Sequence, residues 1–245
     1  KDNNYNSAII EYKRYLFFNK RLDNSDILQE LFNVYHIIGD WTNALITLES
    51  AYVLTDDSFI KDRMLIDKGV ILISKGDLQR AEMLFLRLLM SSHHELIKKD
   101  THYWLGVCNL YSFKWEEAKN YFNYYYGELY DQDIENIFSG VNELKIKSPS
   151  KARLLSLIMP GLGQIYLNDY KNGVNSLMLN LLTSYLFFNS IIDKNYLDAL
   201  IIYYTPFERY YLGSSSNAAL TAQNYNQQLS QQFAESLLND ILAIQ

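Results

Sequence analysis

The six residues Gly39-Asp40-Trp41-Thr42-Asn43-Ala44 return as Gly76-Asp77-Leu78-Gln79-Arg80-Ala81 and, altered, as Phe113-Lys114-Trp115-Glu116-Glu117-Ala118. The alanines are 37 residues apart, and each is followed four residues on by a large apolar side chain, Leu48, Phe85 or Phe122. About a dozen residues of helical apolar spacing precede each turn. The repeating unit is therefore a helix, a tight turn and a second helix. A small residue at the alanine position lets the second helix come close to the first, where a larger side chain would hold the pair apart.

Composition bounds the rest. A chain of 245 residues that is 49% hydrophobic and 20% charged is not disordered, and ten Gly and three Pro are too few for a loop-rich β scaffold. One cysteine excludes a disulfide framework and a four-cysteine zinc site, and a net charge of −6 argues against binding nucleic acid through its phosphates. The charge is unevenly spread. Lys, Arg, Asp and Glu make up 26% of residues 1–150 but 12% of residues 151–245, which predicts two regions of different surroundings.

The repeated pattern resembles the tetratricopeptide repeat over residues 25–126. Gly69 and Gly106 match that family's small residue in the first helix, Leu105-Gly106 its Leu-Gly pair, and Tyr35 its tyrosine. Phe32 and Phe113 depart from it, as does a period of 37 where about 34 is usual. The resemblance implies an all-α fold with a helical solenoid over 1–147, its first repeat incomplete. Tyr5, Ala8 and Tyr12 look like a second helix lacking its first, and a chain opening on Lys1 predicts further sequence upstream. In such arrays the first helices line a concave face, which places Asn33, His36, Ile66, Val70, Ile73, Tyr103, Val107 and Leu110 in a partner-binding groove. That row is mostly apolar. It predicts an apolar helix or extended segment as occupant, with the chain's own final helix as an internal competitor. The family's clamp for carboxyl-terminal peptides needs Lys, Asn and Arg, and only Asn33 fits it.

Beyond Tyr126, Ile134, Ile137, Val141 and Leu144 predict a helix that caps the array, and Lys145 to Lys151 reads as a polar linker. Residues 148–213 are then expected to form an apolar helical domain. Asn172 to Ile192 runs 21 residues without a charge, close to the ~20 that a helix needs to cross a bilayer. Ser176, Asn180 and Ser184 recur every four residues behind Gly173. In lipid such a stripe is a helix-packing face; in water it would belong to a buried hairpin, and both readings stay open. Residues 214–245 carry Ala218, Ala222, Tyr225, Leu229, Phe233, Leu237 and Ile241 at helical spacing, which predicts a long amphipathic helix.

The most distinctive local motif is Pro160-Gly161-Leu162-Gly163-Gln164-Ile165-Tyr166, followed by Gly173. It resembles a family of bacterial envelope proteins in which an exported tetratricopeptide region precedes a small helical membrane domain. Members of that family are often encoded beside, or fused to, the membrane protein insertion efficiency factor. Tyr211-Leu212-Gly213, Ala218-Ala219 and Asn224-Tyr225-Asn226 are similar to its final helix. The resemblance implies a protein of the bacterial cell envelope with a membrane-associated carboxyl-terminal domain and periplasmic repeats. Lys145, Lys147, Lys151 and Arg153 flank the apolar stretch Leu154 to Leu167 and favour a cytoplasmic start instead. No cluster of titratable residues, metal spacing or nucleophile context nominates catalysis, so the expectation is a non-enzymatic scaffold with a protein partner and no cofactor. A soluble repeat adaptor with a buried hairpin, and a repeat-bearing hydrolase, remain as alternatives.

Other chemistry is thin. The glycine turn lacks the spacing and the Lys-Ser/Thr of a phosphate loop. His93, His94 and His102 lack metal-ligand spacing, and Cys108 has no nominated base. Glu208-Arg209 interrupts an apolar segment, either as an intramembrane assembly pair or as an anchor at headgroup level.

Overall fold

The computed structural model describes residues 4–19 and 24–244. Gln245, the expected end of the final helix, lies outside the described residues. Among those described there is no strand, so the chain is all-α. The helices are α1 (Tyr5–Phe18), α2 (Ser25–Ile37), α3 (Trp41–Leu54), α4 (Ser58–Ser74), α5 (Leu78–Ser91), α6 (Glu95–Tyr111), α7 (Trp115–Tyr126) and α8 (Asp131–Phe138), then α9 (Pro149–Ile158), α10 (Leu162–Tyr166), α11 (Tyr170–Ile192), α12 (Tyr196–Ile202) and α13 (Glu208–Leu242).

The quoted stretch builds one turn three times. Gly39 and Gly76 take left-handed backbone angles (φ 76° and 75°), and Phe113 takes the same conformation at φ 60°. The N–H of each bonds three residues back, and the next N–H reaches five residues back, from Asp40 to the Tyr35 carbonyl, Asp77 to Leu72 and Lys114 to Asn109. These two hydrogen bonds close the end of the first helix. Asp40 and Asp77 then cap the second helix, their carboxylates accepting the N–H of Asn43 and Arg80. Such a cap satisfies one of the first-turn N–H groups that have no partner within the helix.

The packing behind the turns is complementary. Ala44, Ala81 and Ala118 are fully buried, as their spacing predicts. A Cβ on Gly69 would lie 2.2 Å from the Phe85 ring, and one on Gly106 would lie 2.8 Å from that of Phe122. A bare first helix thus receives a phenylalanine from the second. The pair α2 and α3 reverses this, with Phe32 on the first helix and the smaller Leu48 on the second, both buried in one cluster. Phe32 is a redistribution of volume within the pair.

The chain divides into two compact units, residues 1–141 with 236–245, and residues 142–235. The expected division at 147/148 therefore falls inside the second unit. The expected separate segment 214–245 is not an element of its own, because α13 is continuous from Glu208 and contributes to both units. In the first unit the expected cap helix is shorter than its periodicity suggests. Ile134 and Phe138 are buried on α8, but a 3-10 turn, Ser139–Glu143, replaces further α-helix. Leu237 and Ile241 are buried too, and the Tyr126 hydroxyl donates to the Ile241 carbonyl at 2.9 Å.

The second unit reuses the turn. Asn168 (φ 65°) and Lys194 (φ 59°) hold the left-handed position, with the same pair of backbone bonds, and Asp169 and Asn195 stand at the following caps. Four residues after each cap come Gly173 and Ala199, both buried, in the register of Ala44. Its interior differs in kind from the first unit's. Alanines, glycines, serines and carboxamides fill it, and Leu167 is the one large aliphatic side chain buried there among the described residues. The large apolar side chains face outward: Met178 is 62% exposed, Tyr185 65%, Phe188 60% and Leu197 78%.

Among the described residues no helix is long and apolar enough to cross a membrane. This corrects the expectation of a spanning helix over Asn172 to Ile192. The 23 residues of α11 have the length, but Asn172, Asn175, Asn180 and Asn189 dilute its apolar character. Pro206 does not interrupt the helical run from α12 into α13. A π turn, Tyr203–Phe207, absorbs the proline and its missing N–H between α12 and α13.

Candidate functional site

The Pro160 motif folds as a tight reversal between α9 and α10, and it brings four helices of the second unit together. Gly161 takes φ 98°, and a Cβ on it would sit 2.3 Å from the Gly173 carbonyl oxygen. A Cβ on Gly163 would sit 2.1 Å from the Ala152 carbonyl and 2.7 Å from the Ala218 Cβ. Bare backbone is thus required twice, once where α10 meets α11 and once where it passes between α9 and α13.

Polar atoms join these surfaces. Ser156 Oγ accepts from the Gly163 N–H (3.0 Å) and donates to Gln164 Oε1 (3.1 Å). Gln164 Nε2 donates to the Ser214 carbonyl (3.1 Å), Ser214 Oγ accepts from the Gly161 N–H (3.2 Å), and Ser176 Oγ donates to Ser214 Oγ (2.7 Å). The Tyr211 hydroxyl ties α13 to the Leu157 carbonyl at 2.6 Å. A network so buried fixes one arrangement of the helices, because breaking any member strands its partner.

Tyr166 lies at the edge of this cluster. Its ring is flanked by the Lys147 and Lys151 ammonium groups, 4.8 and 5.2 Å from the ring centre. Lys147 is held in turn by Asn226, whose side chain pairs with both its N–H (2.8 Å) and its carbonyl (2.7 Å). The expected polar linker is therefore fastened to α13 at Lys147.

The row Ser176, Asn180, Ser184 is only partly a packing row. Ser176 and Asn180 face α13, but Ser184 Oγ turns back to the Asn180 carbonyl at 2.6 Å. Thr183 is buried in its place. A helix of 3.6 residues per turn drifts off a strict four-residue step, and steps of four and then three keep the face. Glu208 and Arg209 do not act as a pair. Both are exposed, and neither forms a salt bridge among the described residues, since successive helical positions point about 100° apart.

In the first unit the expected groove does not form as drawn. Ile66, Val107 and Leu110 are buried, and a side chain sealed in the interior cannot line an open groove. Val70 and Ile73 pack against the same interior as Ile66. Tyr103 packs on Phe122 and Tyr125, and burial raises its phenol pKa. His36 lies against Phe32 and Trp41, which leaves Asn33 as the exposed member. The first helices therefore turn most of this row toward packed neighbours, with Gly69 and Gly106 each accepting a phenylalanine on the adjoining face. Exposed apolar residues lie on the second helices instead, with Ile46 and Val53 on α3 answered 37 positions on by Met83 and Met90 on α5. Their 37-residue relation was visible in the sequence, but nothing there distinguished an outward apolar position from an inward one.

Cys108 is buried, with Sγ 3.1 Å from the Leu78 carbonyl; burial first, and Glu82 second, push its thiol up to about 11. That is the reverse of an activated nucleophile. His94 contacts Ser58 and Phe59, His102 Nδ1 lies 2.8 Å from the Lys98 carbonyl, and His93 is exposed. Among the described residues no group of His, Cys, Asp or Glu is assembled to hold a metal ion. No family model matches the chain, and no curated protein matches it.

Proposed function

We propose that the protein is a non-enzymatic scaffold of the bacterial cell envelope: a tetratricopeptide-like array that engages a protein partner, followed by a helical domain that attaches to a membrane. One observation carries the attachment. The second unit is packed inside out for water, with serines, carboxamides and small residues between its helices and Met178, Leu182, Tyr185 and Phe188 facing outward on α11. Helices that associate in lipid use small residues for close approach and polar side chains for cohesion, because apolar surface gains nothing by leaving lipid. In water the same side chains would stand exposed along α11, and apolar surface left exposed in this way marks a contact with membrane or protein. The envelope assignment and the scaffold role are supported by the resemblance of the Pro160 motif and the repeats. Partner binding is supported by the exposed row Ile46, Val53, Met83 and Met90 on the second helices.

Alkaline carbonate extraction of cell membranes tests the attachment. The protein is expected in the pellet, and Leu182→Glu with Tyr185→Lys, both at exposed positions, should release it. Release of the unaltered chain into the supernatant overturns the reading.

A further inference from the structure

We infer that one end of the second unit, where α9 and α11 begin, is a cationic rim that seats on anionic phospholipid headgroups. The inference rests on the membrane attachment proposed above and adds to it the class of lipid and the end of α11 that meets the headgroups.

Charge in residues 142–235 is sorted by position. Five of their seven Lys and Arg residues, Lys145, Lys147, Lys151, Arg153 and Lys171, fall between positions 145 and 171, where Asp169 is the only acidic residue. The Asp169 carboxylate is already engaged in capping α11, accepting from the Asn172 N–H (3.3 Å) and from its Nδ2 (2.7 Å). The fold gathers these positions. Lys147 Nζ donates to the Tyr166 carbonyl (3.3 Å), the Ser148 N–H reaches the Tyr166 hydroxyl (3.4 Å), and Lys147 and Lys151 share the Tyr166 ring. The start of α9 thus meets the end of α10, and α11 begins only a few residues further on. Among the described residues every salt bridge lies in the first unit, so none of the five cations has a carboxylate partner. Lys145, Lys151, Arg153 and Lys171 are exposed. Like charges gathered without partners repel one another and are relieved by an anionic surface. The turn at the far end of α11 has the opposite balance, with Asp193 and Asp198 around Lys194.

The surface that starts at the rim selects lipid over a soluble polyanion. Tyr170, Val174, Met178, Tyr185, Phe188 and Ile192 are each more than half exposed and follow helical steps along one side of α11. Tyr170 and Lys171 stand at its head. Tyrosine and lysine at the margin of an apolar belt suit a headgroup layer, with the ring at the boundary and the ammonium among the phosphates. A nucleic acid would neutralise the cations and leave the belt in water.

Flotation of the full chain tests the rim, using vesicles of phosphatidylcholine alone or with the same fraction of phosphatidylglycerol or phosphatidylserine. Both anionic mixtures should bind at least about tenfold more tightly than phosphatidylcholine, and equally, because charge is what the rim reads. Each Lys near such a surface contributes about fivefold, so Lys151→Gln with Lys171→Gln should weaken binding to anionic vesicles about twentyfold and leave binding to phosphatidylcholine unchanged. Lys151→Arg with Lys171→Arg should bind as the unaltered chain does, and so should Lys75→Gln with Arg87→Gln, exposed positions of the first unit. Each variant is first shown to keep the native helical spectrum. Equal binding to charged and uncharged vesicles, or a loss that the first-unit pair reproduces, overturns the rim and leaves attachment standing. A preference of about tenfold between the two anionic lipids would show that headgroup shape is read, and also overturns it. Retention on heparin without any preference among vesicles would assign the cations to a soluble polyanion. Failure to bind any vesicle overturns attachment and the rim together.

Discussion

Gly69→Ala tests the exchange of volume between paired helices. In the interior of α4 the substitution should gain about 0.5–1 kcal/mol from helix propensity alone. Against this, the new Cβ would lie 2.2 Å and 2.4 Å from two atoms of the Phe85 ring. That ring is fully buried and has nowhere to swing, so the overpacking belongs near the upper end of the usual ~1–3 kcal/mol. The net expectation is a loss of about 2 kcal/mol. Phe85→Leu alone should cost about 1–2 kcal/mol through the void it leaves. Together the two changes should cost less than their sum by about 1–2 kcal/mol, because the alanine methyl enters the space that the ring gives up. Phe32 with Leu48 already shows the chain tolerating a large first-helix residue opposite leucine. Urea titration followed by tryptophan fluorescence isolates the relevant unit, since all three tryptophans, Trp41, Trp104 and Trp115, lie within residues 1–141. A stabilised Gly69→Ala protein, or single changes that simply add, would refute the reasoning.

Cys108 should react with a thiol reagent at pH 8 at least about a hundredfold more slowly in the native protein than in urea, given a thiol pushed up to about 11 by burial; matching rates would contradict its placement. Burial raises the pKa of Asp67, with Arg63 and His36 offsetting part of the effect. The folded state therefore binds that proton more tightly than the unfolded chain. Its contribution is present below the ordinary carboxylate range and is lost as pH rises through the raised value. Asp67→Asn should raise the urea midpoint at pH 7 and lose that advantage at pH 3, and a lower midpoint at pH 7 would show that Asp67 is held by its charge partners.

The helix pairs were legible because turn chemistry and close packing leave local marks. Gly-Asp before an aromatic or aliphatic residue, with a small residue four positions past the Asp, specifies a left-handed stop, a cap and a close approach within six residues. The same grammar stands at Asn168-Asp169-Tyr170 with Gly173 and at Lys194-Asn195-Tyr196 with Ala199. It went unread there because neither Asn nor Lys advertises a left-handed backbone as glycine does. The groove was misplaced for a different reason. Helical periodicity finds an apolar face without saying whether a neighbour covers it, and Ile66, Val107 and Leu110 are covered. In the second unit the glycines at 161, 163 and 173 were readable as close approaches.

The shared helix α13 has a consequence for synthesis. The surface that Leu237 and Ile241 seal is made of residues translated long before them. With residues 142–235 still to be added, a ribosome working at about 5–20 residues per second leaves that surface uncovered for roughly 5–20 s. The order of translation thus gives whatever meets the nascent chain first an interval in which to hold it, and only the last turns of α13 bring that interval to a close.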